Sequence, residues 1–418
     1  MTTADALMPP PAGVVDFLGR EAAYWRLRVK GAALLALTLG IYRFWFATDV
    51  RRYLWSNTEI DGETLEYTGL ATELLGGFLI AITIVGPLYT TIAVAALALD
   101  TADAAIMAVG ILLLVLLSQF ALYRARRYRL TRTVFRGVRF DQHGSAWRYA
   151  PFALLWWTLA ALTLGLAYPW AQASLQRFKM RHTRYGDLQG SFAGSGSALF
   201  LRGLPIWLLI VGPVVLAFVA LGRMVDWNAL NAMMAQGDTE PLGLLVGNTG
   251  LDVFAVVAAA IGTSLAMMFL LYPLFVAIML RWWISGLRFG AVTVRSHLST
   301  AKVYRVYLRF LLYVLPYLLV VAAIGGALVF VSNKLLGSSH DSMPAELLVS
   351  AASLGIYVTM VLGASTIYQV VVTFAIWQLV AQSARLVGAE ALDNVRAAGA
   401  PDSALGEGLV DALGVGSI

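Results

Sequence analysis

The chain has 418 residues, 59% of them hydrophobic and 13% charged, with a formal net charge of +6 and a mean hydropathy of +0.75. So much apolar surface excludes a soluble globular domain and indicates a membrane protein. The absence of Cys excludes disulfides and thiolate metal sites.

Residues 1–16 are polar or Pro-rich, and no cleavable signal peptide is read there. The first organised stretch runs from Leu37 to Gly69 and opens with LTLG. It recurs without a gap from Leu162 to Gly194. The copies align Gly40 with Gly165, Trp45 with Trp170, Arg52 with Arg177, Asn57-Thr58 with His182-Thr183, and Gly69 with Gly194. This registration indicates an internal repeat. Each copy reads as an apolar piece broken by Gly, a basic amphipathic helix and a short alternating strand. Weaker copies lie at Arg126-Arg127-Tyr128 through Gly137–Phe140, and at Arg281-Trp282-Trp283 through Ala291–Val294. Val380–Arg396 reads as a degenerate fifth copy ending in a tail instead of a strand.

Uncharged runs long enough to span are Leu74–Leu99, Ala104–Tyr123, Tyr149–Gln176, Gly203–Gly222, Val253–Leu280, Phe310–Asn333 and Leu347–Ala384. Gly31–Tyr42 is too short: as a helix it covers roughly 18 Å of a hydrocarbon core about 30 Å thick. If every apolar segment crosses, Lys and Arg divide almost evenly between the two sides. If the two LTLG segments dip in and return, every Lys and Arg except Arg223 and Lys334 falls on one side. Positive charge marks that side as cytoplasmic. The expected fold is mainly α: a polytopic protein with about six full spans, two re-entrant or interfacial LTLG hairpins and both termini cytoplasmic. Gly40 and Gly165 are the break points, and Pro169 helps end the second hairpin's helix. Against this, Tyr149–Gln176 is long enough to cross. Short strands around 63–67, 137–141, 188–193 and 291–295 are expected to pair on the cytoplasmic face, and 223–252 is the one sizeable periplasmic loop. In sequence order this gives a cytoplasmic segment 1–20, repeat units 21–150 and 151–309, two last spans 310–385 and a tail 386–418. Leu405–Leu413 has helical apolar spacing and either docks, on a partner or on the protein itself, or stays a loose terminus.

The spans carry no Asp, Glu, Lys, Arg or His between their boundaries, which counts against ion-coupled transport. The four His are dispersed, with no metal-ligand spacing, phosphate loop or nucleophile turn nearby. No catalytic residue, metal or cofactor is assigned, and no enzymatic activity is expected. His182, in the slot that Asn57 fills, reads as a structural hydrogen bond. Basic and aromatic residues cluster at Arg51, Arg52, Arg126, Arg127, Arg177, Lys179, Arg281 and Trp282. Such clusters are topology determinants with an aromatic belt, or sites for anionic lipid headgroups. Nucleic acid is not an expected partner, since no recognised fold accompanies the charge.

These motifs resemble the YjgN-like family of bacterial inner-membrane proteins. The resemblance rests on Phe17 and Gly19, Leu37–Tyr42, Trp45, Arg51-Arg52-Tyr53, Asn57-Thr58, Asp61-Gly62 and Glu66-Tyr67, and again on Leu162–Gly165, Pro169-Trp170, Arg177-Phe178 and His182-Thr183. It covers most of the chain and implies a polytopic inner-membrane protein; it brings no catalytic residues. It also implies a membrane-associated metallopeptidase as a partner, through genes often found side by side. Two functional expectations follow. One is a non-enzymatic scaffold or adaptor binding anionic lipid and a protein partner. The other is a channel or transporter for an uncharged or lipidic solute.

Overall fold

The computed structural model describes residues 12–98, 104–224, 250–336, 343–398 and 401–415. Its organising feature is a sheet of very short strands. β1 is Ala12–Phe17, β2 Thr58–Ile60, β3 Glu63–Thr64 and β4 Glu66–Tyr67. β5 and β6 are Thr133–Phe135 and Val138–Gln142; β7 and β8 are Thr183–Tyr185 and Leu188–Phe192. β9 and β10 are Leu287–Phe289 and Val292–Ser296, and β11 is Ala384–Val387. Two-residue turns join four hairpins. In Asp61-Gly62 and Arg136-Gly137 both residues have positive φ, the backbone that a right-twisted hairpin requires.

The strand order is β3-β2-β1-β11-β10-β9-β8-β7-β6-β5-β4, and every pairing is antiparallel. The two ends of this order, β3 and β4, are halves of one stretch interrupted only at Leu65. The halves bond on opposite edges. Leu65 N–H donates to Thr58 O at 3.0 Å on one side, and Thr68 N–H donates to Arg132 O at 2.9 Å on the other. Residues three apart in a strand direct their N–H groups to opposite edges, so among the described residues the sheet closes into a ring of ten physical strands with no free edge.

Alternation fills the ring. Val15, Phe17, Ile60, Leu65, Phe135, Phe140, Tyr185, Phe289 and Leu386 share its inner face by register. Phe140 packs on Tyr185 at 4.7 Å and on Phe289 at 6.0 Å. A 3-10 turn, Ala389–Leu392, follows β11, and Leu392 and Val395 join the same cluster. Asp393 pairs with Arg136 at 2.6 Å, and Arg396 N–H donates to Asp187 at 3.2 Å. Both partners are hairpin-turn residues, so this segment covers the turn-side mouth.

Every helical excursion starts and ends on neighbouring strands. The helix-side pairs are Phe17 with Thr58, Tyr67 with Thr133, Gln142 with Thr183, Phe192 with Leu287, and Ser296 with Ala384. Two excursions are short: α1 (Glu21–Leu37) with α2 (Arg43–Ser56), and α5 (Ala146–Leu162) with α6 (Tyr168–Arg181). Three are long: α3 (Ala71–Ala98) with α4 (Ala104–Thr131), α7 (Gly196–Met224) with α8 (Gly250–Gly286), and α9 (Thr300–Leu336) with α10 (Met343–Tyr368). The last continues through a π-helical stretch, Gln369–Phe374, into α11 (Ala375–Ser383). Among the described residues six helices are long and apolar enough to cross a membrane, all of them in the long excursions, which makes this a multi-pass membrane protein. Tyr149–Gln176 is not one span, because the chain turns between α5 and α6. The loop expected at 223–252 lies mostly outside the described residues.

The LTLG turn has a local explanation. Leu39 and Gly40 have φ of 50° and 93°, and Leu164 and Gly165 have 50° and 89°. Glycine tolerates this backbone and leucine does not, at a cost of about 1–2 kcal/mol. Threonine supplies the compensation. Thr38 Oγ1 donates to Leu34 O at 2.7 Å and accepts from Tyr42 N–H at 3.0 Å. Thr163 repeats this with Leu159 O at 2.8 Å and Ala167 N–H at 3.0 Å. The turn thereby satisfies its own backbone while Leu37, Leu39, Leu162 and Leu164 project outward, 67–94% exposed.

The sequence reading misses the first strand of each repeat hairpin, and two strands outside the hairpins as well. Val380–Arg396 does not end in a tail: its helix runs into β11, which pairs with β10. The segment 1–20 contains β1, which pairs with β11 and β2 and joins the two ends of the chain. Val14 and Arg385 are direct cross-strand partners, and such pairs lie within disulfide reach. The protein carrying Val14→Cys and Arg385→Cys is expected to form an intramolecular disulfide under mild oxidation, read as a mobility shift on a non-reducing gel. Exclusively intermolecular cross-links would contradict the ring.

Candidate functional site: an apolar cavity at the helix-side mouth of the ring

Where the ring meets the helices, the inner face opens into a cavity of about 660 Å³. Strands supply Val15, Thr58, Ile60, Leu65, Leu287, Val294 and Leu386 to its wall. α8 supplies Tyr272, Val276, Leu280 and Trp283, α9 supplies Tyr307, and α10 supplies Tyr368. Val372 and Thr373 come from the π-helical stretch, and Ile376, Trp377 and Val380 from α11. No lining residue is charged, and the polar groups are confined to a few hydroxyls and two indoles. Tyr272 and Tyr307 meet edge to face at 5.5 Å. The π-helical turn adds a residue to the helix and brings Val372 and Thr373 to the wall; such distortions recur at functional sites.

The helix-end residues singled out in the sequence hold this mouth together. Asn57 Nδ2 donates to Tyr53 O at 2.7 Å, and His182 Nδ1 bonds Phe178 O at the same distance. Thr58 and Thr183 donate to Leu54 O and Lys179 O at 2.8 and 2.9 Å. Thus each pair satisfies carbonyls that a helix end leaves open. Thr133 does the same with Arg129 O at 2.9 Å. Each threonine also accepts a donor from another unit: Trp377 to Thr58 at 3.0 Å, Trp55 to Thr133 at 2.9 Å and Arg126 to Thr183 at 3.0 Å. Trp45 stacks on Tyr42, and Trp170 packs on Phe200.

The basic candidates are engaged within the chain. Arg52 and Arg177, at matching positions, both donate to the closing glycine's carbonyl, Gly69 O and Gly194 O, at 3.1 Å. Arg126 donates to Gln142 at 2.6 Å. Arg281 donates to Ala277 O and Trp282 to Ser195 O. Lys179 sits over the Tyr149 ring at 5.5 Å. Arg51 pairs with Glu407 at 3.0 Å, and Arg127 with Asp402 at 2.9 Å.

Those last two acids belong to the tail. Its helix α12 (Leu405–Leu413) docks on the protein itself, between α3 and α4. Leu409 and Val410 are buried against Ala81, Val85, Ala121 and Ala125. Gly408 lies so close to the Gly77 backbone that an added Cβ would stand 2.0 Å from it. Glu407 is 5% exposed and also pairs with Arg129 at 3.3 Å. Asp411 pairs with Arg43 at 3.0 Å, and its carboxyl is raised by burial against the opposing pull of that arginine. Removing one partner of a buried pair costs about 3–5 kcal/mol, which applies to Arg51–Glu407, the pair with both side chains largely buried. No local pattern marks which acids meet which arginines.

His143, one of the four dispersed His, has its Nε2 2.8 Å from Asp141 on the outer face of the ring, a contact that spacing alone did not reveal. Among the described residues, no three His, Asp or Glu side chains converge as a metal site requires. A second apolar groove of about 360 Å³ lies on α6, α7 and α8.

A family model described as "Bacterial protein of unknown function (DUF898)" matches residues 13–412, and the chain belongs to that family, the YjgN-like one its motifs resemble. No curated protein and no solved structure matches the chain.

Lys179 carries a pH prediction. Burial pushes its ammonium down from 10.5 to about 8, and Arg126 and Arg129 nearby add to the push. Between those values the unfolded chain binds more protons than the folded one, so this group makes stability rise with pH across that window. Lys179→Met is expected to raise Tm at pH 7 and to flatten the rise in Tm between pH 8 and 10.5. A lower Tm at pH 7 would contradict it.

Proposed function

We propose that this member of a bacterial family of unknown function is a non-enzymatic inner-membrane protein that takes up an uncharged, lipidic molecule in the cavity at the ring's mouth. The observation that carries this reading is the wall itself: a cavity of about 660 Å³ without one charged lining residue. A charged ligand there would lose its hydration with nothing to replace it. A few hydroxyls on apolar walls suit an uncharged molecule with a long apolar part.

The positive-inside rule supports a cytoplasmic position for the ring. β1 and β11 then hold both ends of the chain on that side, and three long excursions give six spans. The two short excursions dip into the bilayer as re-entrant hairpins. Their outward leucines suit lipid, and their threonine-bonded turns leave little backbone unsatisfied there. The shared turn geometry supports duplication of one ancestral unit.

The scaffold reading keeps one specific support. The basic candidates are occupied internally, but three arginines outside that set, Arg288, Arg295 and Arg385, lie on the outer face of the ring. Arg295 stands directly opposite Arg385, a like-charge pair that a sheet tolerates at a cost. Anionic headgroups would relieve it.

Photolabelling tests the cavity. A diazirine-bearing long-chain alcohol is added to the protein in lipid nanodiscs, and adducts are mapped by mass spectrometry. Adducts are expected on the peptides carrying Val276–Trp283 and Val372–Val380, and Val276→Trp is expected to abolish them. Adducts confined to the outer surfaces of α3, α9 and α10 would sink the reading.

A further inference from the structure

We propose that the groove on α6, α7 and α8 is a lateral port through which a single-chain, uncharged amphiphile passes from the bilayer into the cavity, and that the Tyr272 side chain is its door. This rests on the cavity reading above.

The groove, about 360 Å³, lies beside the turn of the second short hairpin, with Gly165 and Pro169 on one wall and Gly203, Trp207 and Met268 opposite. Both α7 and α8 are long and apolar enough to span, so bilayer lipid is the medium around the groove. Like the cavity, it has no charged lining residue. Its shape is held open by small residues and one hydrogen bond. A Cβ added at Gly203 would meet nothing within 4 Å. Trp207 Nε1 donates to Leu164 O at 2.7 Å and pins the hairpin turn to α7.

The two spaces share one lining residue, Tyr272. The spacing on α8 explains this. Met268, Leu271 and Phe275 face the groove, while Val276 and Leu280 face the cavity. Tyr272 stands on the border between these stripes of one helix. Its ring is held on the inner side by the edge-to-face contact with Tyr307. The residue remains 46% exposed, so rotation about its first side-chain bond is not blocked by close packing. A barrier made of one side chain passes one alkyl chain at a time, which selects a single-chain amphiphile.

The absence of native cysteine makes a direct test possible. Val372→Cys places a thiol on the cavity wall, and the protein in vesicles is exposed to a long-chain N-alkylmaleimide that partitions into the bilayer. Labelling rates are compared in the otherwise native chain, with Gly203→Trp and with Tyr272→Ala. Gly203→Trp fills the groove and is expected to slow labelling about tenfold; Tyr272→Ala removes the door and is expected to speed it about tenfold. Gly203→Met serves as the milder block, and the melting temperature of each variant checks folding. Unchanged rates in both variants, with the thiol still labelled, would overturn the port while leaving the cavity standing. A thiol that reacts in unfolded protein but never in the folded vesicle form would overturn both.

Discussion

The structure hangs on the seam between Glu63 and Tyr67. Glu63–Thr64 pair with one neighbour and Glu66–Tyr67 with the opposite one, the N–H groups of Leu65 and of Thr68 just beyond add a bond on each side, and this turns a row of very short strands into a ring. Strands of two to six residues have little stability of their own, and an open sheet would present unpaired edges beside the membrane. Closure removes both problems at once. It also dictates the path of the helices: each excursion must return next to the strand from which it left, whatever its length. Two short and three long excursions therefore share one design, and the strand nearest the N-terminus must meet the last strand of the chain.

The cavity follows from the same constraint. A ring of ten strands is wider than the eight that side chains just fill. Phe140, Tyr185 and Phe289 pack part of the lumen, and the segment after β11 covers the turn-side mouth. The helix-side mouth instead opens into the cavity. There α8, α9 and α11 splay over the ring, and the π-helical stretch brings Val372 and Thr373 to the gap. Space, apolar walls and contact with spanning helices thus meet at one place, and the threonine-centred bonds between units keep that place from collapsing.

Much of this architecture was legible in local patterns. The LTLG copies marked both short excursions, because a left-handed Leu-Gly turn needs that glycine. The second strand of each repeat hairpin was visible as alternation after a Gly. Its partner was not: Thr58–Ile60, Thr133–Phe135, Thr183–Tyr185 and Leu287–Phe289 are three residues long and merge with the helix before them. β1 was hidden beside a Pro-rich start, although Val15 and Phe17 alternate with Val14 and Asp16. The basic clusters were found but not their occupants. Arg51 meets Glu407 across 356 positions of sequence, a pairing that only the packed tail creates. The cavity had no local signature either, since its residues come from ten separate elements and the seam residue Leu65, and each alone reads as ordinary core.

The most direct test of the ring is the side of the membrane on which each excursion turns. Single cysteines at Leu39, Leu164, Arg223 and Lys334, and at Asp187 in a hairpin turn, are tested for labelling by an impermeant maleimide in intact cells. Only Arg223→Cys and Lys334→Cys, at the far ends of long excursions, are expected to react from outside, and Asp187→Cys only after permeabilisation. Labelling of Leu164→Cys from outside would mean that the second short excursion crosses the membrane, and the account of a one-sided ring with re-entrant hairpins would fail.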